Sequence, residues 1–117
     1  YMMMTRECYN RVGGFDEDYF MYGEDLDLCY RIRKAGYKIW YYPKTSCVHY
    51  KGQSSKKASQ RSLYAFHEAM WIYYKKHYYH KYNPLMSAFI YAGIWGRYYF
   101  KSIQNYFRPA EQKFVSR

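Results

Sequence analysis

Six carboxylates fall within twelve positions: Asp16, Glu17, Asp18, Glu24, Asp25 and Asp27. They follow closely on two glycines, Gly13 and Gly14, and the stretch closes on Arg31. Paired glycines leave a backbone that a ligand can approach closely. A carboxylate in the first turn of a helix is held rigidly, and the helix dipole favours its charge. Downstream, His49 ends an extended run just before the Gly, Ser and Lys segment "KGQSSKK". A charged carboxylate and an imidazole beside a basic loop suit transfer chemistry on a phosphorylated donor. Each piece also has a plainer reading. Acidic residues at a helix start often do no more than offset the dipole and cap free N–H groups. A lone histidine at a strand end is commonly structural. Lys51, Lys56, Lys57 and Arg61 can close over phosphates, but a solvated loop is the simpler reading. A calcium loop is excluded: Asp16 and Asp18 begin the D-x-D spacing, yet Phe20 takes the third ligand position and Met21 that of the turn glycine.

Such residues need elements to hold them. Residues 1–5 read as a short buried strand. Residues 6–12 read as one or two helical turns stopped by the glycine pair, and 15–23 as a loop. "EDLDLCYRIRKAG" gives the clearest helical pattern, with Leu28, Ile32 and Ala35 at i, i+4, i+7 and Cys29 beside them. Acids fill its first turn, bases its last, and Gly36 stands where a C-terminal cap belongs. "YKIWYY", residues 37–42, is aromatic and β-branched and reads as a strand closed by Pro43; residues 45–50 read as a second extended piece. The polar stretch 51–60 reads as a loop. A long amphipathic helix is expected from Arg61, with Leu63, Phe66, Met70, Tyr73 and Tyr74 on one face and a break at Asn83 and Pro84. Residues 85–96 carry no charge over twelve positions. A bilayer span needs about 20 apolar residues, so an interfacial or partner-docking helix is the better reading.

Composition sets the outer bounds. With 117 residues the chain is one domain or part of one. Half of it is hydrophobic by count, but 19 of those residues are tyrosines, whose polar tips belong at boundaries. Residues 1–30 hold two basic residues (Arg6, Arg11) against seven acidic ones, a net of −5; residues 31–117 hold seventeen against two (Glu68, Glu111), a net of +15. An acidic head on a basic body points to an anionic partner and a separate carboxylate site. Three cysteines, Cys8, Cys29 and Cys47, make no CxxC pair, so neither a disulfide scaffold nor a zinc knuckle is expected, and a reducing compartment fits. The opening "YMMMTRECY" reads like the interior of a longer protein.

In order and at spacing, "TRECYNRVGGFDEDYFMYGEDLDLCYRIRKAGYKIWYYPKTSCVHYKGQSS" resembles the C-terminal half of the catalytic domain of family 2 glycosyltransferases, in particular the bacterial rhamnosyltransferase-type enzymes of polysaccharide assembly. The likeness covers roughly residues 1–80. It implies an α/β fold, here the C-terminal part of a GT-A-type nucleotide-diphospho-sugar transferase over residues 1–60, followed by an amphipathic, aromatic-rich helical tail over 61–117. It also implies an inverting transfer of sugar from a nucleotide-sugar donor to a glycan or lipid-linked acceptor. On that likeness Asp25 is the catalytic base, Glu24 orients its loop, and Gly13 and Gly14 line the sugar site with Arg31 in support. His49 would contact the diphosphate and its divalent metal, Mg or Mn. Asp27 is expected to support the helix. The family's first half, with its own D-x-D metal motif, has no counterpart ahead of residue 1, so the isolated chain is expected to be inactive and prone to self-association. The tail is expected either on an anionic membrane surface, at the cytoplasmic face of the plasma membrane, or packed on the catalytic domain. The alternative, a basic aromatic module for nucleic acid or membrane without catalysis, leaves the glycine pair, acidic pair and histidine unexplained. The acidic head would also repel phosphates, so no nucleic acid is expected.

Overall fold

The structure, a computed structural model, describes residues 2–44, 46 and 59–107. His49, Cys47, Lys51, Lys56 and Lys57 lie outside the described residues, as does most of the extended piece expected over 45–50. Helix α1 (Arg6–Val12) starts at Thr5, whose side chain accepts the Cys8 N–H at 3.2 Å. It ends at Gly13, whose backbone (φ 78°, ψ −174°) lies in a region nearly closed to other residues. Helix α2 (Glu24–Lys34) has Glu24, Asp25 and Asp27 in its first turn and Arg31, Arg33 and Lys34 in its last, the charge order its dipole favours. Cys8 of α1 packs with Leu28 and Ile32 of α2, and Met4, Val12 and Tyr37 close around them.

Helix α3 (Ser59–His77) and helix α4 (Pro84–Tyr106) form a hairpin joined by a 3₁₀ turn, Tyr79–Lys81. Their order is antiparallel: Tyr74 meets Ser87 at 2.7 Å near the turn, and Gln60 meets Ser102 at 3.2 Å near the open end. Pro84 occupies the first turn of α4 behind an Asn83 cap that accepts the Met86 N–H at 2.8 Å, so this pair starts a helix. Helix α3 itself stops at His77, earlier than the Asn83 break expected from sequence. Its buried positions are small or polar as well as apolar: Ser62, Leu63, Ala65, His67, Ala69 and Tyr74. Phe66 and Met70, expected on the buried face, are exposed.

The α/β expectation is overturned. Every regular element among the described residues is helical, and the strands expected at 1–5 and 37–42 are not formed there. Aromatic and β-branched composition is a preference for a half-buried pleated surface, and a strand exists only by pairing with another. Residues 2–5 and 37–42 form no strand among the described residues. Tyr37 turns inward, its N–H on the Ile32 carbonyl at 3.2 Å and its hydroxyl on Glu7 at 2.9 Å. Beyond it Trp40 and Tyr41 stand 82% and 89% exposed.

Candidate functional site

Two residues apart on a helix means about 200° around its axis, since each residue turns the chain by about 100°. Asp25 and Asp27 therefore leave opposite sides of α2. Asp25 is exposed; its Oδ1 accepts the Leu26 N–H at 2.8 Å, and no described side chain pairs with it. Asp27 has no exposed surface. Its Oδ2 accepts from Arg31 Nε at 2.7 Å and its Oδ1 from His77 Nε2 at 2.6 Å, with the Tyr19 hydroxyl at 3.4 Å. A buried carboxylate with two strong donors is satisfied, and removal of either leaves a costly charge.

Arg31 carries this arrangement into the glycine turn. Beyond Asp27, it donates to the Val12 carbonyl through one terminal nitrogen and to the Gly14 carbonyl through the other, the latter at 2.8 Å. The structure thus brings Gly13, Gly14, Asp27 and Arg31 into one cluster, and Arg31 spends its guanidinium on protein groups. Asp25 and Glu24 stand at the start of the same helix, about 9 Å along the axis from Arg31 at 1.5 Å per residue. One oxygen of Glu24 is buried without a hydrogen-bond partner among the described residues.

The backbone leading to Glu24 is bent sharply. Tyr22 takes φ 69° and Gly23 φ 84°, two left-handed residues in succession. A Cβ on Gly23 would lie 3.3 Å from both Ala69 of α3 and the Tyr19 ring, so glycine is required for conformation and for space. Helix α3 thereby braces the loop. Lys76 lies 2.5 Å from Asp16 and 2.6 Å from Asp18, and Arg61 sits over the Phe20 ring at 4.4 Å. The Lys76 bond holds the Asp16 carboxyl below its ordinary range. Burial pulls the Lys76 ammonium down, but bonds to the two carboxylates outweigh it and hold the group above its ordinary value. Burial and then Asp27 push the Tyr19 hydroxyl well up.

Sequence reading missed His77 and Lys76. Both are far along the chain from the carboxylates they meet, 50 and 60 positions respectively, and nothing in "YYKKHYYHKY" distinguishes one cation from its neighbours. The i, i+4 spacing of Asp27 and Arg31 was the one available signal for the buried pair. Among the described residues no group of three His, Cys, Asp or Glu is placed to hold a metal ion. Cys8 and Cys29 are free thiols.

With this geometry in view, similarity to known proteins becomes informative. Residues 1–64 match the sequence profile described as "glycosyltransferase like family 2". Over 72 residues the chain is 39% identical to an N-acetylglucosaminyl-diphospho-decaprenol L-rhamnosyltransferase of Mycobacterium tuberculosis, covering 62% of this chain and 24% of that protein. It is 44% identical over 50 residues to the rhamnosyltransferase WbbL of Escherichia coli K12, covering 43% of this chain and 19% of that one. It is 50% identical over 48 residues to the succinoglycan biosynthesis protein ExoA of Rhizobium meliloti, covering 41% and 14%. The chain thus spans about a quarter or less of the length of these relatives. No solved structure matches it.

Proposed function

The chain belongs to glycosyltransferase-like family 2, and on that premise we propose that it is the base-bearing part of an inverting glycosyltransferase with Asp25 as the catalytic base. One observation carries the reading. Of the two aspartates in the "EDLD" turn, Asp27 is wholly buried and committed to protein donors, while Asp25 is exposed and unpaired by any described side chain. Of these two, Asp25 is the one whose carboxylate is open to an acceptor outside the fold. In the proposed step an acceptor hydroxyl gives its proton to the Asp25 carboxylate as its oxygen attacks the anomeric carbon of the sugar. The bond from that carbon to the diphosphate oxygen breaks on the opposite face, so the configuration inverts and a nucleoside diphosphate leaves.

In this reading the glycine turn, which Arg31 holds on the Asp27 side of α2, is a backbone wall of the sugar site. Glu24 precedes Asp25 in the first turn of α2 with one oxygen buried inside the fold, and its part in this reading is to orient that turn. Two of the three relatives are named for rhamnosyl transfer and one for a polyprenyl diphosphate acceptor, which makes L-rhamnose and a lipid-linked N-acetylglucosamine the substrates to test first. Family members generally use a divalent metal. The described residues do not by themselves provide its ligands, His49 lies outside them, and no step here runs through one.

A second feature supports work at an anionic membrane surface. Leu85, Phe89, Tyr99, Phe100 and Ile103 lie exposed along one side of α4, opposite the side where Ser87, Ile94 and Asn105 are buried. Helix α4 has no acidic residue and carries Arg97 and Lys101. No described helix is long and apolar enough to cross a bilayer, so such a face would lie in the headgroup zone.

Replacing Asp25 by Asn in the longer protein that carries this chain should lower transfer of L-rhamnose to N-acetylglucosaminyl-diphospho-polyprenol by about 10²–10⁴-fold, the usual worth of a general base. Transfer at the unmodified rate would remove Asp25 from the mechanism. The 117-residue chain alone is expected to transfer no sugar.

A further inference from the structure

We infer that His77 is a positioning residue: through the buried Asp27 and Arg31 it fixes the carbonyls of Val12 and Gly14, so that the tail helix α3 sets the geometry of the glycine turn. The residue lies outside the stretch that matches the family profile, which ends at residue 64. Its neighbourhood is built to hold one orientation. The His77 ring packs against Tyr30 with centroids 4.1 Å apart and meets Tyr73 edge-on at 4.9 Å. Its side chain is 9% exposed. That seat leaves the ring little freedom and aims Nε2 at Asp27 Oδ1, 2.6 Å away. An ionised carboxylate only accepts, so Nε2 carries the hydrogen and donates.

Four bonds in three successive links then run from α3 to the turn: His77 on α3 to Asp27 on α2, Asp27 to Arg31 one helical turn on, and Arg31 to the carbonyls of Val12 and Gly14. The last link is the informative one. Two backbone carbonyls on either side of Gly13 receive their donors from one guanidinium, while Gly13 itself, at φ 78°, is tied to α1 by its N–H on the Tyr9 carbonyl at 2.8 Å. The turn therefore depends on where Arg31 stands, and Arg31 depends on a carboxylate that α3 holds from the other side. Tyr19, at 3.4 Å, is too long a contact to replace His77.

Calling this turn a site wall rests on the proposed function; the coupling itself does not, and its test reads the turn without any substrate. His77→Phe keeps the ring between Tyr30 and Tyr73 and withdraws the donor, whereas His77→Gln returns an N–H. Hydrogen exchange read residue by residue on this chain should show the amides of Gly13 and Gly14 exchanging about tenfold faster in His77→Phe, with the amides of α4 unchanged. His77→Gln should restore them to within about twofold. Unchanged turn amides in His77→Phe, or equal acceleration in α4, would overturn the inference, as would failure of His77→Gln to restore. Should His77→Phe not fold, the unmodified chain still decides: the His77 Nε2 and Arg31 Nε protons should both exchange slowly with water, and rapid exchange of either contradicts the relay. A fully active Asp25→Asn enzyme would end the catalytic assignment while leaving all of these results standing.

Discussion

Asp27 shows no surface and takes strong bonds from α2 and α3, while Phe89, Phe100 and Ile103 on the outer side of α4 are 66%, 60% and 59% exposed. The usual order of a folded chain is inverted between these two regions: charge inside, large apolar side chains outside. Each inversion has its own meaning. A buried charge is tolerated where donors meet it in one geometry, and it then specifies that geometry. An exposed apolar face gains about 1.5–3 kcal/mol for each large side chain that something covers, so it marks a surface awaiting an occupant. The first region is finished within the chain, and the second is not.

The sharpest way to probe the finished region is through the apolar residues around the clamp. Leu28 is 2% exposed and packs with Cys8 and Ile32. Leu28→Ala should cost about 2–5 kcal/mol in denaturant unfolding, because so small a cluster has only Cys8 and Ile32 to close the gap. A loss under about 1 kcal/mol would show that α1 and α2 are held by the clamp alone. The unfinished region should answer differently. Phe89→Ser with Ile103→Ser should change unfolding free energy by no more than about 0.5 kcal/mol each, yet abolish co-sedimentation with anionic vesicles. Binding to neutral vesicles should be weaker, and binding to anionic ones should weaken further in high salt. Large destabilisation instead would mean that this face packs against protein.

Between these extremes lies the surface pair of Lys76 with Asp16. Its contribution is small because both groups are partly solvated. The Asp16 carboxyl is held below its ordinary 3.8, so the unfolded chain takes up its proton first as pH falls. Stability from this pair is therefore present above about pH 3.8 and disappears below it. Lys76→Met should flatten that part of the acid unfolding curve, and an unaltered curve would show the pair to be idle.

Local order was legible in the sequence wherever a short-range rule decides it. Helix α1 ends at the first of the paired glycines, α2 has the acid-to-base order and Gly36 beyond it, and Leu28 and Ile32 are buried as their spacing predicts. Asn83 and Pro84 were read as the break of the long helix, but α3 stops earlier at His77 and the pair instead starts α4, where proline's missing N–H costs nothing. What failed was everything set by distant partners. Residues 37–42 have strand composition without a strand to pair with among the described residues. The inward face of α3 was read as Leu63, Phe66, Met70, Tyr73 and Tyr74; Leu63 and Tyr74 are buried there, but Phe66 and Met70 are exposed, and Ala69 sits inward where Gly23 approaches closely. The donor for Asp27 waited fifty residues downstream, and Asp25 and Asp27, equal as letters, part company only once a helix sends them to opposite sides.

That division between the two carboxylates is the claim on which the site rests, and unfolding free energy measured side by side for Asp25→Asn and Asp27→Asn tests it most directly. Asp25→Asn should stay within about 0.5 kcal/mol of the unmodified chain, and Asp27→Asn, which removes the buried carboxylate that Arg31 and His77 both meet, should lose about 3 kcal/mol or more. Equal losses, or a larger one at Asp25, would contradict the account.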